Sequence, residues 1–157
     1  MLCETDIASS WRARPRSFVA LMGLYESNHL RFLRLVGDPA RLSGTLTSRV
    51  AGDCELQLSV LGHMPYTSMF TLTYLLPTST PGSGVAGYQR LPDLRLRAYH
   101  DASLLEAEEL QPQHLPCAGR QIERELQQRW ARNIMLNKWL EYCAERGHRF
   151  TGHQSVD

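Results

Sequence analysis

The stretch that decides the fold is Leu94-Arg95-Leu96-Arg97-Ala98-Tyr99-His100-Asp101-Ala102-Ser103-Leu104-Leu105-Glu106-Ala107-Glu108. Apolar and charged side chains alternate on both sides of its midpoint, the period of a strand with one buried face. A turn at Asp101-Ala102 sets Arg97 opposite Glu106 and Arg95 opposite Glu108. On the other face, Ala98 meets Leu105 and Leu96 meets Ala107. A slip of one residue would put charges against the apolar set, so a single register satisfies both faces. Residues 94–100 and 103–110 therefore read as an antiparallel hairpin. Asp-Ala is not a favoured two-residue turn, which leaves a longer turn open.

Outward from this hairpin, more β structure precedes it. Residues 45–50 and 54–61 flank Ala51-Gly52-Asp53, and residues 66–75 form a third Thr- and aromatic-rich strand. Residues 77–92 hold three prolines and three glycines and read as a long mobile loop. Helices bracket the strands. Ser17 is placed to cap a helix over residues 18–36, in which Phe18, Leu21, Met22, Tyr25, His29, Phe32, Leu33 and Val36 recur at spacings of three and four. A second helix is expected over residues 121–146, ended by Gly147, with Leu136, Trp139, Leu140 and Cys143 as its apolar stripe. Residues 1–16 read as a disordered tail, 17–149 as one domain and 150–157 as a frayed terminus. The fold class is α+β, with about five antiparallel strands in one curved sheet and both helices on the same face. Arg95, Arg97, Glu106 and Glu108 are expected on the solvent face.

Composition narrows the function classes. A chain of 157 residues with net charge +1 carries no global field for nucleic acid or a membrane surface. Its basic residues are sixteen Arg and Lys138, spread among acids rather than clustered. Four scattered cysteines without a C-x-x-C pair imply reduced thiols and a cytoplasmic location, and no secretory or membrane-spanning run is present. The histidines show no metal-ligand spacing, so neither a metal nor a cofactor is expected. No nucleophile elbow or phosphate-binding glycine loop occurs.

Several stretches resemble the YqiB-like family of uncharacterised bacterial proteins. They are Tyr25-Glu26-Ser27-Asn28 with Leu30-Arg31-Phe32-Leu33-Arg34-Leu35, Tyr66-Thr67-Ser68, the block Leu91-Pro92-Asp93 through Tyr99-His100-Asp101-Ala102, and Trp139-Leu140-Glu141-Tyr142-Cys143. The resemblance spans roughly residues 20 to 147. It implies no defined activity. The family pattern has an Asp-Glu pair early in the last helix, where Gln127 and Gln128 stand here.

The candidate site residues are Glu26, Asn28, His100, Arg129 and Asn133. Glu26 and Asn28 flank the stripe of the first helix, Arg129 and Asn133 interrupt that of the last, and His100 ends the inward set Leu94, Leu96, Ala98. Brought into one pocket, they would suit a small anionic, phosphate-bearing ligand, held by Arg129. The competing structural expectation is a Glu26–Arg129 ion pair with the asparagines satisfying backbone groups. His100 and Asp101 are neighbours on a strand and point apart, so Asp101 reads as a turn residue accepting from the Ser103 N–H. The leading expectation is a non-enzymatic binding or adaptor domain for a small anion or a protein partner. The alternatives are a hydrolase using His100 as general base with Glu26 or Asp101 assisting, and a homodimer.

Overall fold

The computed structural model describes residues 17–79, 86–108 and 120–150. Helix α1 (Phe18–Val36) is followed by a short 3-10 turn (Pro39–Arg41). Five strands come next: β1 (Thr45–Ser48), β2 (Glu55–His63), β3 (Thr67–Ser79), β4 (Ala86–Tyr99) and β5 (Leu104–Glu108). Helix α2 (Arg120–Arg146) closes the order. The sheet is an antiparallel meander, β1-β2-β3-β4-β5. Residues 1–16, 109–119 and 151–157, and with them Cys3, Trp11, Cys117 and His153, lie outside the described residues.

The deciding hairpin has the register its side chains require, with Arg97 opposite Glu106 and Leu96 opposite Ala107. The last pair is Tyr99–Leu104, so the turn is the longer four-residue form, His100 to Ser103. Ser103 takes φ 56°, and Asp101 is exposed with no bond to the Ser103 N–H.

The expected loop over residues 77–92 is a correction. β3 and β4 continue past the end of β2 as a two-stranded arm, pairing Leu76 with Gln89 and Ser79 with Ala86. Proline breaks a ladder only where its missing N–H is needed. Pro77 lies where β2 no longer pairs with β3. Pro92 lies in a bulge, where Leu91 and Pro92 are accommodated between the Thr73–Asp93 and Leu75–Arg90 pairs. Residues 80–85 are outside the described part.

Both helices cover one face. Phe32, Leu35 and Val36 of α1 and Leu136, Trp139, Leu140 and Cys143 of α2 pack with Leu56, Leu58, Phe70, Leu72, Leu96 and Leu105 in one core. Ser17 caps α1 by accepting from the Ala20 N–H. At the end of α2, Gly147 takes φ 89°, the Gly147 N–H bonds to the Ala144 carbonyl and the His148 N–H to that of Cys143. This is the paired closure of a Schellman cap. It turns the chain back so that Phe150, expected in the frayed terminus, is buried and donates its N–H to the Leu35 carbonyl.

Candidate functional site

The five sequence candidates do not share one pocket. Glu26 is exposed, and Arg31–Glu141 rather than Glu26–Arg129 forms the ion pair between the helices. Asn28 and Asn133 are fully buried and act structurally. β5 is an edge strand, and Asn133 caps that edge. Its Oδ1 accepts the Ala107 N–H at 2.8 Å, and its Nδ2 donates to the Ala107 carbonyl at 3.4 Å and the Arg129 carbonyl at 2.8 Å. One side-chain amide thus stands in for a sixth strand at Ala107 and leaves no bare edge there. The Asn28 amide group lies within 3.5 Å of the Leu105 carbonyl and 3.4 Å of Asn133 Oδ1, while Asn28 Oδ1 accepts from Asn137, which also donates to Ser27. The network ties α1, α2 and β5 together.

His100 points to the inner face, as the alternation requires. Its partner is neither Glu26 nor Asp101 but Ser68, at 2.7 Å. Ser68 is fully buried and also meets His63 Nδ1 at 2.5 Å, and His63 Nε2 meets the Leu42 carbonyl at 2.6 Å. A carbonyl only accepts, so His63 carries its proton on Nε2. With both rings neutral, Ser68 then donates to His63 and accepts from His100. Sequence reading missed this relay because its members meet only through pairing across β2, β3 and β4. His29 is buried beside it with Nδ1 unpartnered among the described residues. Burial and the neighbouring His100 both lower the His29 pKa.

A second buried relay is likewise unexpected. His148, just before the terminus expected to fray, places Nδ1 2.9 Å from Ser48 Oγ and Nε2 2.8 Å from Asp53 Oδ2. The order of groups is that of a catalytic triad, but Ser48 and His148 are buried, and Ser48 Oγ also accepts the Arg149 N–H. A nucleophile sealed from substrate has no partner to attack, so the cluster clamps the C-terminal turn onto the β1–β2 hairpin. Burial would raise the Asp53 pKa, but hydrogen bonds from His148, the Cys54 N–H and Tyr74 outweigh it and hold the carboxyl below its ordinary value. Beside it, burial pushes the Cys143 thiol up to about 11, which makes it a core residue rather than a thiolate.

The arrangement with room for a ligand lies elsewhere. A groove of about 610 Å³ opens at the β5 edge, where the N-terminal halves of both helices meet the end of the β4–β5 hairpin. Its walls are largely apolar and include Phe18, Leu21, Met22, Leu104 and Leu126. Phe18 is 68% exposed, a large apolar surface left open to solvent. Five polar residues line the groove: Tyr25, Tyr99, Glu106, Glu125 and Arg129. Glu106, expected on the solvent face, is half-buried and accepts the Tyr99 O–H at 2.6 Å. Arg97 pairs diagonally with Glu108 at 2.9 Å. Tyr25 is only 4% exposed, yet its hydroxyl makes no well-aligned hydrogen bond among the described residues. Burial, then the adjacent Glu106 charge and a poorly aligned hydrogen bond to that carboxylate raise its pKa, with the Arg129 charge opposing, so it is a neutral O–H donor at pH 7. Of the sequence candidates, only Arg129 lines this groove. The other lining residues come from three short segments far apart in the chain, 18–25, 99–106 and 125–126, and no local motif joins the three.

Among the described residues no His, Cys, Asp and Glu group is placed to hold a metal ion, and no helix is long and apolar enough to cross a membrane. No curated protein and no solved structure matched the chain. One family did, over residues 31–149, which takes in His100, Arg129, Asn133 and the hairpin wall of the groove but not its α1 wall. The chain belongs to the DUF1249 family, whose description is "Protein of unknown function".

Proposed function

We propose that this chain is a non-enzymatic binding domain that takes a small amphipathic ligand in the groove between α1, α2 and the β4–β5 hairpin. The observation that carries the reading is the Tyr25 hydroxyl, buried without a well-aligned partner at the side of an apolar groove. Its contact with Glu106 satisfies it only in part, and a fully unsatisfied buried hydroxyl would cost about 1–3 kcal/mol, so a well-placed ligand acceptor recovers a fraction of that on binding. The groove volume falls within the roughly 300–1,000 Å³ of small-molecule sites, and apolar walls with a few convergent polar groups are their usual composition. Arg129 contributes a hydrogen-bonding cation to an oxygen of the ligand. The free thiols of Cys54 and Cys143 agree with a reducing, cytoplasmic setting.

The test is a thermal-shift screen of metabolites against the wild type and a groove-filling variant, Met22→Trp. A ligand at a hundred times its Kd stabilises by about 2.7 kcal/mol, or roughly 5–10 °C in a domain of this size. The expected result is a stabilising compound whose effect disappears in Met22→Trp and weakens in Tyr25→Phe. Stabilisation that survives both variants, or none from any compound, refutes the proposal.

A further inference from the structure

Resting on that reading of the groove, we infer that its ligand is a short apolar peptide with a free N-terminal ammonium group rather than a phosphate-bearing molecule. The charges decide between them. Glu106 and Glu125 carry two negative charges against the single positive charge of Arg129, so the lining residues sum to −1, and Arg97, whose charge also acts on Glu106, is bonded to Glu108 at 2.9 Å. Glu106 is half-buried, which strengthens its field relative to a solvated carboxylate. A phosphate approaching Arg129 would bring one to two further negative charges next to Glu106, and like charges at such range repel. An ammonium meets the opposite situation.

The hydrogen-bonding pattern agrees. Tyr99 donates to Glu106 Oε1 and Tyr25 leans on the same carboxylate with poor alignment, but a carboxylate offers about four lone-pair sites, so Glu106 retains acceptor capacity for an N–H donor. Beside it, the Tyr25 O–H and the Arg129 guanidinium offer donors for a carbonyl oxygen. Donor and acceptor sites side by side match an N-terminal residue, whose ammonium and first carbonyl are adjacent. The remaining apolar walls, Phe18, Leu21, Met22, Leu104 and Leu126, suit aliphatic side chains. The volume of about 610 Å³ exceeds what one amino acid fills and is of the size of two or three apolar residues.

The experiment titrates the full chain by calorimetry with trileucine, N-acetyltrileucine and octyl phosphate. Trileucine is expected to bind, with at least a tenfold loss on acetylation and at least a tenfold loss in Glu106→Gln, because a charge-assisted bond is removed in each case. Glu125→Gln, an exposed substitution that leaves the fold alone, should weaken binding about two- to threefold. Octyl phosphate binding more tightly than trileucine and blocked by Met22→Trp overturns the peptide assignment but leaves the groove as the site. No binding by any of the three overturns the peptide assignment, and the metabolite screen then decides the groove separately. Binding of trileucine only after Trp11→Ala makes the chain's own N-terminal segment the occupant and also overturns it.

Discussion

Replacing Asn133 with Leu removes the amide that caps the β5 edge while keeping the side chain close to the same size. The Ala107 N–H loses a 2.8 Å acceptor and its carbonyl loses a 3.4 Å donor, and the Arg129 carbonyl loses its side-chain donor. Asn133 is fully buried, so water does not reach the site to replace them. One buried backbone N–H left unpaired costs about 1–3 kcal/mol, and the Asn28 amide loses a neighbour as well. The expected loss is about 2–4 kcal/mol, since a partly satisfied polar network is worse than an intact one. For a domain of this length that is roughly 5–15 °C in Tm. Urea denaturation of wild type and variant, followed by far-UV circular dichroism with equal m-values, measures it. A loss under about 1 kcal/mol would mean that Ala107 finds another partner, and the edge-capping account of Asn133 would fail.

Other outcomes follow from the same geometry. Because the Asp53 carboxyl is held below its ordinary pKa, its contribution is fully present above about pH 4 and is lost as pH falls through its folded value. Asp53→Asn should therefore lower stability at pH 7 and flatten the acid limb, and an acid limb unchanged by the substitution would remove the clamp reading. The His29 pKa is lowered by burial and by His100, so the unfolded chain takes up its proton first. Stability should rise with pH up to about 6.5 through this group, and His29→Gln should abolish that rise between pH 5 and 6.5. Ser103 is exposed at φ 56°, a conformation that a β-branched residue strongly resists. Ser103→Val should destabilise by about 1–2 kcal/mol while Ser103→Gly stays within about 0.5, and equal effects would contradict the turn geometry.

What was legible in the chain depended on how many independent constraints met at each residue. The β4–β5 register was readable because both faces carried information, ions on one and apolar groups on the other. Helix ends were readable from Ser17 and Gly147, whose local chemistry is sufficient for a cap. The β3–β4 arm was not, because prolines and glycines mark loops in general and only pairing geometry shows that Pro77 and Pro92 stand where no N–H is needed. Asn133 was visible as a polar break in an apolar stripe. Sequence periodicity cannot say whether such a break faces a ligand or an edge strand, and here it faces Ala107. The relays at Ser68 and at His148 join residues up to a hundred positions apart, and neither has a local signature. The groove was invisible for the same reason, since Phe18, Leu104 and Leu126 are ordinary apolar residues until the fold leaves them facing one opening.

Binding in the groove at the β5 edge is read out by a ¹H–¹⁵N correlation map of the full chain titrated with the compound that raises Tm most. A contiguous set of amide shifts is expected in residues 18–25, 99–106 and 123–129, absent in Met22→Trp. Shifts centred instead on the open sheet face at Gln57, Thr71 and Arg95, or around Ser68 and His100, would contradict it.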